Sequence, residues 1–310
     1  MIKDKILSKS NQFNYYKDNY FRLLEENKKI KEDLKKTKKN HNKLKKNNAR
    51  LKKQNDILEK DNIVKNNDFD LLKPYVLESS IENSDLKFCP VCGRPTEFVP
   101  AGITKRKNAL CNKCKAFERH RLFFLVLLKK YNHIFNKNIK LLHFAPEKVL
   151  YNKFINNESV DYYPVDIDPE NFAKKNMTIR DKVNMEEIPY EDNKFDLIIN
   201  VHVLEHVHDD MKAMHEIYRV LKKGGICFVS VPLSGNYETL QKPEYNTPEL
   251  RLKHYLQEDH VRLYGYDIKD KLESVGFEVK QYNIDSLTSE EKVWELYGLH
   301  NGFVLFVCEK

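Results

Sequence analysis

Short apolar runs alternate with amphipathic stretches along the second half of the chain. The predicted strands cover residues 139–144, 161–167, 195–201, 226–231, 277–284 and 303–308. The predicted helices cover residues 122–128, 209–222 and 267–275. Gly224-Gly225 and Gly276 follow the last two helices, where the permissive backbone of glycine ends a helix. This alternation predicts an α/β fold, with a mostly parallel sheet covered by helices on both faces.

The first 65 residues follow a different pattern, with a heptad repeat over residues 20–65 that contains no Gly or Pro. Its d positions hold Leu23, Ile30, Thr37, Leu44, Leu51 and Leu58, and its a positions hold Tyr20, Asn27, Leu34, His41, Asn48, Asn55 and Asn62. Leucine at d with asparagine at a favours a parallel two-stranded coiled coil, so residues 1–65 are predicted to form a basic helix that makes a homodimer. The alternative is a solvated Lys- and Asn-rich helix without a partner.

The composition predicts a folded protein without a membrane span. Of the 310 residues, 41% are hydrophobic, which is enough for a sizeable core. The longest apolar run, residues 122–128, is far shorter than the roughly 20 residues of a membrane helix. The first residues carry no apolar block typical of a signal peptide, so a cytoplasmic location is expected.

The net charge of +8 comes from one segment. Residues 1–65 hold 20 Lys and Arg against 9 Asp and Glu, a balance of +11, whereas the rest of the chain holds 34 against 37, a balance of −3. A protein that binds nucleic acid along its whole body is typically basic throughout. The division therefore argues against a long polyanion lying across the main body.

Two C-x-x-C pairs indicate a metal site. Residues 66–85 are predicted to be a linker, and residues 86–117 a ribbon with Cys89, Cys92, Cys111 and Cys114. The 18 residues between the two pairs fit the spacing of a four-thiolate site. Four thiolates complete a tetrahedral shell and leave no position for water, so the predicted Zn²⁺ is structural. Iron is the main rival, and four reduced core cysteines are the remaining alternative.

Polar residues follow several of the predicted strands. They fall within residues 143–147, 165–168, 183–189 and 200–207. In open α/β sheets, ligands bind beyond the carboxyl ends of the strands, where the strand order reverses. These four segments are therefore the candidate ligand-binding loops.

Residues 139–310 resemble a class I S-adenosylmethionine-dependent methyltransferase. The resemblance is carried by IPYEDNKFDLI at 188–198, VLEHV at 203–207 and YRVLKKGG at 218–225, and it is close to the type-11 subgroup. Together with the four cysteines and ERHR at 118–121, the chain resembles a bacterial branch that has an N-terminal zinc ribbon. The resemblance implies a Rossmann-like seven-stranded sheet over residues 118–310, and S-adenosylmethionine as cofactor.

The resemblance also implies roles for individual residues. Asp166 would accept hydrogen bonds from the ribose hydroxyls, Asn184 would contact the adenine amino group, and the Met185 backbone would contact the ring edge. The loop formed by Phe144, Ala145, Pro146 and Glu147 would hold the methionine end, with Asn200 and His202 beneath the sulfonium.

The first loop departs from the family pattern. The family has a glycine-rich loop with an acidic residue just before it, whereas this chain has His143, Ala145, Glu147 and Val149 at those positions. Such a loop binds the cofactor if Glu147 pairs with its ammonium group. The alternative is that cofactor binding has been lost.

A histidine is the expected base for a hydroxyl or amine acceptor. His202 and His260 are the predicted acceptor-site residues, with His208 a further candidate, whereas a helical turn would point His206 away from the cofactor. Residues 233–266, rich in Tyr, Arg and His, are predicted to form a lid that selects the acceptor.

Three functions remain open at this point. The leading one is methyl transfer to a small molecule or glycan precursor. The second is methylation of RNA or DNA, with the basic helix and the ribbon binding phosphates. The third is a non-catalytic scaffold that carries a degenerate cofactor fold.

Overall fold

The computed structural model describes residues 87–102, 105–289, 291–300 and 302–310, and Lys36 alone in the segment before them. The predicted coiled coil, its homodimer and the predicted linker therefore lie outside the described residues. The described residues from Lys87 onward belong to one compact unit.

Two small hairpins form the ribbon at the start of the described chain. Strand β1 (Phe88–Cys89) pairs with β2 (Arg94–Pro95), and β3 (Phe98–Ala101) pairs with β4 (Arg106–Cys111), both antiparallel. Helix α1 (Glu118–Lys130) follows, and its central residues are buried, as the apolar run predicts. A 3-10 turn (Asn132–Asn136) leads into the main sheet.

The main sheet has seven strands, with helices between them. Its strands are β5 (Ile139–Phe144), β6 (Val160–Asp166), β7 (Asp181–Lys182), β8 (Phe195–Val201), β9 (Leu221–Ser230), β10 (Glu278–Tyr282) and β11 (Leu305–Glu309). The remaining helices are α2 (Lys148–Phe154), α3 (Glu170–Ala173), α4 (Asp210–Val220), α5 (Pro248–Tyr255), α6 (Ile268–Val275) and α7 (Glu291–Tyr297).

The strand order is β10-β11-β9-β8-β5-β6-β7. Strands β5 to β9 run parallel, and β11 is antiparallel to both of its neighbours. The order reverses at β5, which lies between β6 on one side and β8 on the other. The predicted Rossmann-like seven-stranded fold is confirmed, and a crevice for ligands is expected at the carboxyl ends of β5 and β8.

Each face of the sheet packs against its own apolar layer. Because side chains alternate along a strand, Leu141 and Leu197 belong to one cluster, and Leu142 and Ile198 belong to the other. All four side chains are fully buried. The strands of a doubly covered parallel sheet read as continuous apolar runs for this reason, which is how the sequence revealed them.

Helix α4 ends earlier than predicted. The pattern placed its end near Lys222 with Gly224-Gly225 as the terminator, but the helix stops at Val220 and both glycines lie inside β9. Lys310 is the physical reason, because its ammonium group donates to the carbonyl oxygens of Tyr218 and Leu221. A cation from the far end of the chain thus satisfies the carbonyls that a glycine turn would otherwise satisfy.

The ribbon shares a core with the main sheet. Phe88 and Cys111 belong to the same apolar cluster as residues 122–127 of α1. The guanidinium of Arg121 is fully buried and donates to the carbonyl oxygens of Ala116 in the ribbon and Gly298 after α7, at 3.0 and 2.8 Å. The boundary predicted between residues 117 and 118 therefore falls inside one continuous core.

Candidate active site and metal centre

The loop after β5 adopts a backbone conformation that glycine usually supplies. Ala145 has a φ of 44°, in the left-handed region, and its N–H donates to the carbonyl oxygen of Val165 at 2.9 Å. The glycine-free loop thus reaches the turn geometry without glycine, at a conformational cost of about 1 kcal/mol or more. Phe144 and Pro146 on either side are buried, and they fix the loop at the end of the strand.

His143, at the position of the family's acidic residue, lies in the core. Its ring is almost fully buried and its Nδ1 is 2.8 Å from the Tyr162 hydroxyl. Burial lowers the pKa of His143 to about 3, so the ring is neutral at physiological pH. It does not replace the missing carboxylate.

Glu147 already has two partners. Arg119 and His120, at the start of α1, both hydrogen-bond to its carboxylate, with Arg119 Nε 3.4 Å from Oε2. Burial alone would raise the pKa of Glu147, but the hydrogen bond from His120 and the charge of Arg119 outweigh it and hold the pKa below its usual range. The ERHR segment therefore contacts the first loop directly, a link that the sequence pattern did not reveal.

Asp166 lies at the carboxyl end of β6, half-buried. Its Oδ1 accepts from the backbone N–H of Asp168 at 2.7 Å. Burial raises the pKa of Asp166 above its usual value, and the hydrogen bond from Asp168 partly opposes this effect. The next residue, Ile167, is 61% exposed, which leaves an apolar surface beside the carboxylate. A carboxylate beside an uncovered apolar surface is suited to a sugar joined to a flat ring.

The two residues predicted to contact adenine lie in the turn after β7. The side chain of Asn184 is exposed and its Oδ1 accepts from the Glu186 N–H at 3.0 Å. Met185 is buried, and its sulfur receives a weak hydrogen bond from Asn200 Nδ2 at 3.8 Å. The side-chain amide oxygen of Asn200, Oδ1, is buried and has no hydrogen-bond partner. Such an unpaired buried acceptor is costly unless a ligand satisfies it.

His202 follows β8 in a left-handed conformation, with a φ of 56°. Its backbone N–H donates to the carbonyl oxygen of Ser230 at the end of β9, and its Nδ1 lies 3.3 Å from a carboxylate oxygen of Glu205. Two non-glycine residues with positive φ, Ala145 and His202, thus follow the adjacent strands β5 and β8. Strained backbone of this kind clusters at functional sites.

His260 and His206 lie together. Their ring centroids are 4.8 Å apart and nearly perpendicular. His260 is buried, and its Nδ1 is 2.9 Å from the Tyr255 carbonyl oxygen. His206 is not a core residue, because its side chain is 31% exposed. The structure therefore places His206 beside the predicted acceptor-site residue His260.

A sequence profile for a family described as "Methyltransferase domain" matches residues 148–229, from α2 to β9. Residues 148–229 form a methyltransferase domain. A protein named "Probable S-adenosylmethionine-dependent methyltransferase" from Mycolicibacterium smegmatis is 35% identical over 98 residues, 31% of this chain and 34% of that protein. The ubiquinone/menaquinone biosynthesis C-methyltransferase UbiE of Psychromonas ingrahamii is 47% identical over 64 residues, 20% of this chain and 24% of UbiE.

The chain thus spans about a third or less of the length of the curated relatives it matches. Among solved structures, a SAM-dependent methyltransferase from Archaeoglobus fulgidus is 17% identical, covering 61% of this chain and 93% of that one with a TM-score of 0.41. Within the described part of this chain, no helix is both long and apolar enough to cross a membrane.

The segment 233–266 is packed onto the methyltransferase domain. Tyr255, Tyr264 and Arg262 are fully buried, and a Cβ on Gly265 would meet the Tyr237 carbonyl oxygen at 2.2 Å. Close backbone approach of this kind needs glycine. Tyr255 and Tyr264 thus pack internally, whereas Tyr237 is 62% exposed.

The four ribbon cysteines form one cluster. One Sγ from each of Cys89, Cys92, Cys111 and Cys114 lies within 4.8 Å of the others, and Cys89 and Cys114 are 3.6 Å apart. Two sulfurs bound at about 2.3 Å to one tetrahedral ion are separated by a similar distance. Both C-x-x-C turns end in the same way: the Gly93 N–H donates to the carbonyl oxygen of Cys89, and the Lys115 N–H donates to the carbonyl oxygen of Cys111. The donor set and its geometry fit a four-thiolate metal site.

A cavity of about 520 Å³ lies between the ribbon and α2. Glu147 and His120 line it together with four lysines, Lys113, Lys115, Lys148 and Lys153. The loop after β5 therefore borders open, basic space on the ribbon side.

Proposed function

We propose that the chain is a class I S-adenosylmethionine-dependent methyltransferase. The observation that carries this proposal is Asp166 at the end of β6, half-buried beside the exposed Ile167 at the reversal of the strand order. A carboxylate there can accept from both ribose hydroxyls with strong, charge-assisted hydrogen bonds. The unpaired side-chain oxygen of Asn200 on β8, which lies on the other side of β5, supports the same crevice, because a bound ligand would satisfy it.

The other predicted residues fit roles around this anchor. Asn184 and the Met185 backbone would contact the adenine. Phe144, Ala145, Pro146 and Glu147 would lie along the methionine end. Although Glu147 is paired with Arg119 and His120, a carboxylate has about four lone-pair positions, so contact with an ammonium group stays a prediction.

The cofactor supplies an activated methyl group on its sulfonium, so the chain has to orient the acceptor, exclude water and remove a proton. We assign proton removal to His202 or His260. Burial lowers the pKa of His260, and with the proton on Nδ1 its Nε2 is left as an acceptor. A neutral imidazole is the form that can accept a proton from a hydroxyl or an amine.

We further propose a small molecule or glycan precursor as the acceptor, and Zn²⁺ in the ribbon as a structural ion. The mild acidity of residues 66–310 supports the small acceptor, and the cysteine geometry supports a metal ion in the ribbon, with iron as the rival to zinc.

The heptads over residues 20–65 support a homodimer. The two cysteines outside the ribbon, Cys227 and Cys308, form no disulfide, which supports the cytoplasm as the location.

The full chain is expected to bind S-adenosylhomocysteine and to transfer a labelled methyl group. Calorimetry with S-adenosylhomocysteine measures the first step. Tritiated S-adenosylmethionine with a cell extract measures the second, after ultrafiltration separates small molecules from RNA and protein.

Label in the small-molecule fraction is the expected result. Label that stays with the large fraction and is released by RNase would replace the small acceptor with RNA. In that case binding to RNA should weaken steeply with salt and depend on residues 1–65. Without any heat of binding, the scaffold hypothesis would stand instead.

A further inference from the structure

A second cluster of metal-ligating side chains begins 91 residues after the last ribbon cysteine and lies on a different part of the fold. One potential ligand atom from each of Glu205, His206 and His260 lies within 4.8 Å of the others. Glu205 and His206 belong to the 3-10 turn after β8, at the carboxyl edge of the sheet. Two imidazoles and one carboxylate are a common ligand set for divalent transition metals that retain open coordination positions.

Glu205 is the strongest sign of an absent ligand. Its residue is 1% exposed, and neither carboxylate oxygen has a hydrogen-bond partner. His202 Nδ1 lies 3.3 Å from a Glu205 carboxylate oxygen, outside hydrogen-bond geometry. A buried carboxylate without hydrogen bonds is strongly unfavourable, and a bound cation removes that cost.

Both histidines are oriented in the manner of metal ligands. His260 Nδ1 is 2.9 Å from the Tyr255 carbonyl oxygen, and His206 Nδ1 is 3.2 Å from an Asp259 carboxylate oxygen. The Tyr255 carbonyl fixes the proton of His260 on Nδ1 and leaves its Nε2 lone pair free, and the nearby Asp259 carboxylate favours the same tautomer of His206. Metal-bound histidines almost always donate their other N–H to a carbonyl or carboxylate in this way.

The two segments that contribute the ligands are held together rigidly. Val261 N–H donates to the Glu205 carbonyl oxygen at 2.9 Å, which ties the residue after His260 to the turn after β8. The buried guanidinium of Arg262 donates to the carbonyl oxygens of Leu204 and His208, both at 2.8 Å. The cluster therefore needs little rearrangement to bind an ion.

We propose that Glu205, His206 and His260 bind one divalent transition-metal ion, with Asp259 and the Tyr255 carbonyl as outer partners. Unlike the four-thiolate ribbon, three protein ligands leave positions open for an oxygen donor. An ion on His260 Nε2 takes the lone pair that would accept a proton, so with the ion bound His202 is the base. This inference deepens the proposed function, on which its last step rests. At the acceptor side of the crevice, the open positions suit a hydroxylated or phosphorylated small molecule.

The test is a Co²⁺ titration of the full chain whose ribbon has first been loaded with one equivalent of Zn²⁺. One equivalent of Co²⁺ should bind with visible d–d absorption and without the near-ultraviolet band of cobalt–thiolate charge transfer. X-ray absorption at the cobalt edge should show imidazole ligands and no sulfur. Mg²⁺ should not compete, because it prefers an all-oxygen shell.

Substitutions of the ligands and of an outer partner should weaken Co²⁺ binding by different amounts. Glu205→Gln and His260→Asn should weaken Co²⁺ binding at least about 100-fold, and Asp259→Asn about 10-fold, as expected for outer partners. His215→Asn is the matched control, since His215 is exposed on α4, and it should bind Co²⁺ as the parent protein does.

A parent protein that binds no Co²⁺ after zinc loading would overturn the proposal, as would sulfur in the cobalt shell or full affinity in Glu205→Gln. If the variants fail to fold, the cobalt spectrum of the parent protein decides. The readout is independent of cofactor, so failure here leaves S-adenosylhomocysteine binding untouched, and loss of that binding leaves the metal result standing.

Discussion

Asp166→Ala is expected to lower the affinity for S-adenosylhomocysteine about 100-fold. The carboxylate would accept from two ribose hydroxyls, and a hydrogen bond to a charged group contributes about 1.5 kcal/mol or more. Two such bonds amount to about 3 kcal/mol, which corresponds to about 100-fold in the dissociation constant. Calorimetry measures this loss directly, and methyl transfer at subsaturating cofactor should fall in parallel.

Asp161→Ala is the matched control for this prediction. Asp161 is exposed near the opposite end of the same strand, where it pairs with Arg180 at 3.0 Å. Its replacement removes one carboxylate from β6 but leaves the crevice intact. Equal affinity of Asp166→Ala and the parent protein for S-adenosylhomocysteine would disprove the role assigned to Asp166. Equal losses in Asp166→Ala and Asp161→Ala would point to a general effect on the strand.

Loss of the ribbon metal is expected to destabilise the whole described unit. Structural zinc contributes about 10–16 kcal/mol of apparent binding free energy in small zinc peptides, as much as the total stability of a typical domain. Cys89 and Cys111 are fully buried in the cluster that contains α1. Cys92→Ala, or a strong chelator, should therefore lower the melting temperature of the methyltransferase domain as well as the zinc content.

Cys227→Ala provides the comparison, because Cys227 is buried in β9 and far from the ribbon cluster in the fold. It should keep the full zinc content and lose little stability, since it removes one small buried side chain. A chelator that strips the metal without changing the melting temperature would show that the ribbon folds without it.

The strands could be predicted closely because their apolar runs are local. Residues 139–144 and 195–201 coincide with β5 and β8, and 161–167 differs from β6 by one position at each end. The end of α4 could not be predicted in the same way. It depends on Lys310, which lies 89 residues after Leu221 and reaches it only in the folded chain.

The candidate site shows the same difference between features that are local in sequence and contacts that form only on folding. The cysteine cluster is set by spacing within two short turns, and the position of Asp166 by the end of one strand. The partners of Glu147 lie 27 and 28 residues before it, and Val261 contacts Glu205 from another loop. Arg119, His120 and Glu205 were therefore missed as candidate residues, and only the recurrence of charged side chains in ERHR and LEHV marked them.

The buried guanidinium of Arg121 has a practical consequence for protein engineering. It donates to carbonyl oxygens of Asn108 and Ala109 on one side and Tyr297 on the other. A fragment that begins at residue 118 would leave this cation without three of its five carbonyl partners and uncover the apolar face of α1. Exchanging ribbons between relatives should consequently succeed only when the start of α1 and the turn after α7 are transplanted with them.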